Sequence, residues 1–431
     1  MKPPPVRWTT SPYEGGTGLE RLVIFAEGRQ NQPMANPIFA NLPTTIFEEM
    51  SGLARELGAV NLGQGFPDDP GPEAIRARAA DAVLNGYNQY PPMAGLPELR
   101  QAVASHYGAT QGLVLDWASE ITITSGATEA LAAAFLGLIE PGDEVVVFQP
   151  VYDSYLPMIR AAGGVPKLVS LQPPHWRFTR AMLEAAFTER TRFVVLNNPM
   201  NPTGVVFPEA DLALLAEFCV AHDIIAICDE VWEQVVFGNA RHRPLIGFPG
   251  MRERTVKIGS AGKMFGLTGW KVGFLAAAPD LTHSLARAHQ FLTFTTPPNL
   301  QAAVAWGLEN AETWFREMPR DLARSRDRLS DGLERQGFAV LPAEGTYFLN
   351  IDLAASGVAM DDRAFCLHAV REAGVAAIPV SALYEEQPVT NIVRLCFAKR
   401  DATLDAGIER LAKARELARK AAPAEDLPAR A

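Results

Sequence analysis

The chain has 431 residues, 48% of them hydrophobic and 20% charged, which exceeds the usual size of one domain and supplies apolar residues for a large domain and a smaller one. Its net charge of −10 is spread along the chain without a basic block, which argues against nucleic acid or an anionic membrane as partner, and no window reaches the uncharged apolar length of a membrane span. Four cysteines, Cys219, Cys228, Cys366 and Cys396, lie in apolar segments without CxxC or Cys/His ligand spacing; buried thiols, no metal site and, with no secretory leader pattern, a cytoplasmic location are expected.

Residues 1–40 carry Pro3-Pro4-Pro5, several glycines and no lasting periodicity, which predicts an extended arm. Thr45 to Leu57 has apolar residues at helical spacing with threonines at hand as the cap, and it leads into the loop Val60-Asn-Leu-Gly-Gln-Gly-Phe-Pro-Asp68. Gly63 and Gly65 permit close backbone approach to a ligand, and a structural turn before Pro67 explains them equally well. A helix around Pro72–Leu84, a rigid aromatic loop Tyr87–Pro92 and a helix from Leu96 to Gly108 follow. Then Ile121–Thr124 reads as a strand, Ser125-Gly-Ala-Thr128 as a turn and Glu129–Leu138 as an alanine-rich buried helix, an arrangement whose free amides suit a phosphate.

Continuous apolar strands follow at 144–148, 193–197, 224–228 and 255–258, the pattern of a parallel sheet covered on both faces. Each ends in polar or reactive residues, and open α/β sheets bind ligands at that edge. After the last of them comes Gly259-Ser-Ala-Gly-Lys263. Lys263 sits among small and apolar residues, where lost hydration favours the neutral amine that attacks a carbonyl, so it reads as an anchor for an aldehyde cofactor. Ser260 and Lys271 flank it with a hydroxyl and a fixed charge suited to a phosphate. Taken alone, such a lysine reads more readily as a surface residue in a turn. From about Trp306 the chain turns to long charged helices and short strands near 338–341, 345–351, 375–379 and 391–397, a smaller α+β domain, before a tail from Ala421 rich in Ala, Pro and charge.

The motifs Asn61-Leu-Gly-Gln-Gly-Phe-Pro-Asp68, Asn198-Pro-Met-Asn-Pro-Thr-Gly204, Cys228-Asp-Glu-Val231, Gly259–Lys263 and Asn391-Ile-Val-Arg394 resemble, in order, those of the fold-type I aminotransferases that depend on pyridoxal 5′-phosphate (PLP). The resemblance runs from about 43 to about 415 and is to the kynurenine, glutamine and methionine aminotransferase branch, with bacterial N-succinyldiaminopimelate aminotransferases as near relatives. It implies an α/β fold with a large domain, residues 71–305, built on a mostly parallel seven-stranded sheet covered by helices, and a small domain, 306–420. Residues 41–70 are expected to pack with the small domain and 421–431 to form a flexible tail.

By the resemblance, Lys263 anchors the cofactor and moves the substrate proton, and Asp229 pairs with the pyridine nitrogen, keeping it protonated so that the ring accepts electrons. Without it, Asp229 and Glu230 would read as a solvated acidic pair. Asn201 matches the residue bonded to the ring oxygen, Tyr152 the aromatic stacked on the ring, and Ala127, Thr128, Ser260 and Lys271 the phosphate cup, with Tyr90 donated to the phosphate by a partner subunit. Asn198 and Arg394 match the pair that grips the substrate α-carboxylate, Gly65 the loop closing over it, and Phe47 and Phe294 the side-chain pocket. The family usually has a tyrosine three residues after the aspartate; here stands Trp232, whose indole N–H donates but cannot ionise, leaving a contact to the ring oxygen and a packing role both open.

The activity implied is ping-pong exchange of an amino group between a large neutral amino acid and a 2-oxo acid, in a homodimer with shared active sites. An N-succinyldiaminopimelate aminotransferase and a cysteine-conjugate β-lyase are the alternatives within enzymes. A regulator that keeps this fold as a sensor would need a DNA-binding domain, for which the first 40 residues are too short and too proline-rich.

Overall fold

The apolar runs become the strands of a seven-stranded sheet in the computed structural model, which describes residues 36–421. Ahead of it, β1 (Val60–Asn61) follows the helix Ile46–Glu56, whose N-cap Thr45 accepts from the amide of Glu48. The large sheet is made of β2 (Ile121–Thr124), β3 (Glu144–Gln149), β4 (Val165–Ser170), β5 (Thr191–Asn197), β6 (Ile225–Asp229), β7 (Thr255–Ser260) and β8 (Gly273–Ala276), in the order β2-β8-β7-β6-β5-β3-β4. All run parallel except β8, which is antiparallel to both its neighbours. One edge of the sheet therefore gathers the carboxyl ends of six strands and the start of the seventh.

Alternation along the strands divides the core. Val145 and Val147 point to the side covered by the helix Gly126–Leu138, with Ala130, Ala134 and Phe135, while Val146 and Phe148 point to the side of the helix Glu209–Ala221, with Leu212, Leu215 and Phe218. Full burial on both faces explains why these strands read as unbroken apolar runs. The four cysteines are unpaired and buried.

A 24-residue helix, Glu312–Arg335, carries the chain to a four-stranded antiparallel sheet of β9 (Ala339–Leu341), β10 (Phe348–Asp352), β12 (Ile378–Pro379) and β13 (Ile392–Cys396), in the order β12-β13-β10-β9. The strand expected at 375–379 is two strands: β11 (Val375–Ala376) leaves this sheet to pair in parallel with β1, tying the segment before residue 70 to the later part of the chain. The helix expected from Glu129 starts at Gly126, the presumed turn being its first turn. Residues 36–43, taken by themselves, hold one helical turn, Pro37–Ala40, so the extended arm expected over 1–40 ends in helix; residues 1–35 and the tail from 422 lie outside the described residues. Among the described residues no helix is long and apolar enough to cross a membrane.

Candidate active site

Strand ends deliver the side chains of one cleft, lined by Ala127, Thr128, Tyr152, Tyr155, Asn201, Asp229, Val231, Trp232, Ser260, Lys263 and Lys271 among others. At one end of the cleft, Gly126 adopts φ +77°, a left-handed turn that lets β2 feed at once into the helix Gly126–Leu138 and leaves the amides of Ala127 and Thr128 at its positive end. Lys271 precedes β8, the reversed strand, and so reaches the same edge, where its Nζ donates to Thr128 Oγ1 at 3.3 Å. Ser260 closes β7 beside them. The result is a solvent-facing cradle of donors around one fixed positive charge.

At the centre, Asp229 ends β6 in a buried position. Burial raises its carboxyl above the ordinary range, opposed by the hydroxyl of Tyr155, which donates to Oδ2, and by the amide of Val231 at 3.4 Å from Oδ1. Both donors are neutral. Tyr155 was not singled out from the sequence, although it lies three residues after Tyr152, a spacing that carries both rings toward one side of a helical turn; the two meet edge to face at 5.7 Å. Asn197, read from the sequence only as one of the polar residues ending its strand, donates from its amide to the backbone oxygen of Asp229 and accepts from the amide of Asn201, fixing the turn that follows β5.

Lys263 stands in the one helical turn, Ala261–Met264, that follows β7. Its backbone oxygen accepts from Tyr347 Oη, and that of Met264 from Trp314 Nε1, so two aromatic side chains hold the turn. The amine lies 4.5 Å from the Trp232 ring centroid and 5.8 Å from that of Tyr347. Lost hydration pulls it down to about 8, with Cys396 and Asp229 acting in the opposite direction. Trp232 is buried edge to face against Tyr347 and Phe348, and its ring forms the wall beside the amine.

Arg394 comes from the middle of β13. Burial lowers its guanidinium to about 10, yet among the described residues no carboxylate bonds it: Nη1 donates to Asn201 Oδ1 at 2.8 Å and Nη2 to the carbonyl of Gly63 at 2.7 Å, while Nε is buried with no partner among those residues. Its flat faces lie on Phe348, at 3.9 Å, and Phe47, at 5.0 Å. Gly65 passes so close that a Cβ there would sit 2.6 Å from Phe348 Cζ. The expected pairing of Asn198 with Arg394 is not found. Asn198 is fully buried off the cleft, its Oδ1 accepting from the amide of Phe207, and Asn201, one turn further on, takes the place beside the arginine.

Tyr90 and Phe294, like Asn198, stand outside the cleft of this chain. Tyr90 is 79% and Phe294 41% exposed, and they meet each other edge to face at 5.4 Å.

The residues present fit a flat, phosphorylated, basic aldehyde. The cradle suits a phosphate, Tyr152 and Val231 wall the space between, the neutrally bonded carboxylate of Asp229 suits a cationic ring nitrogen, and Lys263 is an amine able to attack a carbonyl at neutral pH. Sheet and cleft together define a PLP enzyme of fold type I. The chain belongs to the family "Aminotransferase class I and II", whose sequence model matches residues 58–411, and it is a PLP-dependent transferase acting on amino acids and 2-oxo acids. It is similar to the solved N-succinyldiaminopimelate aminotransferase of Mycobacterium tuberculosis, with 44% identity and a TM-score of 0.85 over 88% of this chain and 100% of that one. The methionine aminotransferase of Escherichia coli is 42% identical over 86% of this chain and 96% of its own length. Human kynurenine–oxoglutarate transaminase 1 is 36% identical over 85% and 94%.

Proposed function

We propose that the protein transfers amino groups from large neutral amino acids, such as methionine, glutamine and aromatic residues, to a 2-oxo acid by ping-pong exchange. The observation that carries the reading is Arg394, a buried cation that among the described residues has an idle Nε and no acid bonded to it, with two aromatic rings beside it. A guanidinium in that state suits an α-carboxylate, and the rings of Phe47, Phe348, Tyr152 and Trp232 suit an apolar side chain next to it.

Bound PLP supplies the electron sink for the substrate's α-carbon. Ala127, Thr128, Ser260 and Lys271 would hold its phosphate, Tyr152 would pack on its ring, and Asp229 would keep its ring nitrogen protonated. Asn201, already bonded to Arg394, would also reach the ring oxygen. Lys263 would anchor the cofactor and, as a free amine, would move the proton from the substrate's α-carbon; an amine titrating near 8 is neutral often enough to accept it and acidic enough to give it back. Tyr347 and Trp314 keep it aimed through its backbone. The first amino acid leaves as its 2-oxo acid before the second oxo acid enters. Tyr90 and Phe294, exposed together, are read as reaching the cleft of a second copy in a homodimer, and four unpaired buried cysteines favour a reducing, cytoplasmic setting.

A panel of donors against pyruvate, 2-oxoglutarate and 2-oxo-4-methylthiobutyrate tests the reading. Methionine, glutamine and phenylalanine should outrun aspartate, since a second substrate carboxylate left unpaired costs several kcal/mol. Efficient aspartate turnover would overturn it. N-succinyldiaminopimelate belongs in the same panel, because the mycobacterial protein of that name is 44% identical. Its long side chain can carry the extra carboxylates out to solvent.

A further inference from the structure

A buried ion pair away from the reacting groups joins three parts of the molecule. Glu129 lies in the first turn of the helix Gly126–Leu138, and His289 lies, fully buried, near the end of the helix Pro279–Leu292. His289 Nδ1 is 3.0 Å from both oxygens of Glu129, and Nε2 is 3.0 Å from the carbonyl of Met93 in the loop that carries Tyr90. Glu129 Oε2 also accepts from the amide of Ser125, at the start of the cradle, and the backbone oxygen of His289 accepts from the amides of Thr293 and Phe294. Phe294 is held at φ +65°, which a bulky residue rarely adopts without such support. Ser125 Oγ contacts Thr296 Oγ1, and the buried side chain of Gln301 bridges the carbonyl of Thr296 and the amide of Leu96.

The chemistry of the ring decides its charge. Both Glu129 oxygens face Nδ1 and the Met93 carbonyl faces Nε2, with the Thr293 hydroxyl a longer contact to Nδ1 at 3.4 Å; a neutral imidazole has only one N–H and would turn its other lone pair on a carboxylate or carbonyl oxygen, whereas the imidazolium donates to both. Burial opposes that charge, and Glu129 together with the Met93 carbonyl outweighs it, so the ring titrates above its ordinary range. The elements packed against its helix are the helix Gly126–Leu138, β2 and the helical turn Trp117–Glu120. Their charged side chains are Glu129 and Glu120, and Glu120 is bonded to Arg252.

We propose that Glu129 and protonated His289 are positioning residues that lock the cradle at Ser125–Thr128 to the two loops carrying Tyr90 and Phe294, so that cofactor retention and loop order are lost together. This rests on reading the cradle as the phosphate end of the site. A raised pKa sets the sign: the lock is complete below the ordinary imidazole range, near pH 6.5, and opens as pH climbs through the raised value.

The test is release of pyridoxamine 5′-phosphate from the dialysed holoenzyme between pH 6.5 and 9.5, followed by absorbance, with backbone hydrogen exchange over residues 86–96. His289→Gln, which cannot donate on both sides, should release the ligand roughly tenfold faster at pH 6.5, about one charge-assisted hydrogen bond, and expose the 86–96 amides. The alkaline rise expected of wild type should be flattened in it. Glu129→Gln should behave alike and stands in if His289→Gln does not fold. Wild-type release rates, or an alkaline rise as large as wild type's in either folded variant, would overturn the proposal. Lys271→Met separates the two readings: unchanged release there removes the phosphate assignment, whereas fast release there with wild-type behaviour in His289→Gln removes only the lock.

Discussion

Asp229 and Glu230 are consecutive, both buried, and keep their surroundings in opposite ways. Glu230 turns from the cleft into a packed cluster. Burial pushes its carboxyl up, but Lys257 and His242 overcome this and hold it at about 2, with the amide of Leu245 as a third partner. Lys257 in turn bonds Glu230 and Glu233, and Glu233 accepts from Tyr107 and Gln111. Glu230, Glu233 and His242 lie close enough together to ligate a metal, but the ammonium of Lys257 fills the place a cation would take. Asp229 has only neutral donors and is raised. The two lysines repeat the contrast, Lys257 held charged by two acids and Lys263 pulled down to about 8 without a bonded one. A buried charge with its partners in place is architecture; one without them is a site for something else.

Substitutions that separate the two clusters sharpen the contrast. The widest gap is expected between the lysines. Lys263→Ala should fold and lose turnover by more than about 10³-fold, because anchor and proton carrier go together, whereas Lys257→Met should lose about 3–5 kcal/mol of stability, with two buried acids deprived of the cation they share. Steady-state rates and unfolding of the same two proteins decide it, and a Lys263→Ala enzyme that turns over normally would erase the distinction. Next come the acids. Asp229→Asn should fold with cofactor bound and lose about 10²-fold or more in single-turnover rate, while Glu230→Gln should be destabilised by about 3 kcal/mol and keep the rate of its folded fraction. Equal rate losses in both would remove the contrast.

A smaller effect is expected at Tyr155. Its hydroxyl favours the ionised form of Asp229 against burial, so Tyr155→Phe raises that carboxyl further and shifts it toward the neutral form as pH falls. About a tenfold loss at pH 7, growing toward pH 5.5, is the expected rate profile, one hydrogen bond being worth roughly 1.4 kcal/mol. A pH-independent loss would assign the tyrosine to packing alone. The smallest change is spectroscopic. Trp232 puts an indole where the family resemblance leads to the expectation of a phenol, and Trp232→Tyr should lower the pKa of the holoenzyme's visible band by roughly one to two units through a donor to the ring oxygen. An unmoved pKa would show that the pocket walled by Tyr347 and Phe348 does not let the phenol reach it.

The sheet was legible because strands buried on both faces are continuous apolar runs, and β3, β5, β6 and β7 emerged within about two residues of their ends. β4 was missed: Pro166 and Lys167 give an edge strand no such run. β8 is four residues long and follows a left-handed turn at Lys271, and nothing in its composition announces a reversed strand. Lys263, Asp229 and Ser260 were legible as polar or reactive residues at strand ends, whereas Arg394, a lone arginine between apolar strand residues, was marked only by the family resemblance. Choosing between Asn198 and Asn201 was not, since each precedes a proline and only the folded turn decides which amide faces Arg394. Tyr155 carried a signal in its spacing from Tyr152; Glu129 and His289, 160 residues apart, carried none.

Borohydride reduction of the holoenzyme followed by peptide mapping asks most directly whether the amine without a bonded acid is the reactive one. The expected product is a single pyridoxyl group on the peptide containing Lys263. Label on Lys257, Lys271 or any other lysine would contradict the assignment and the contrast built on it.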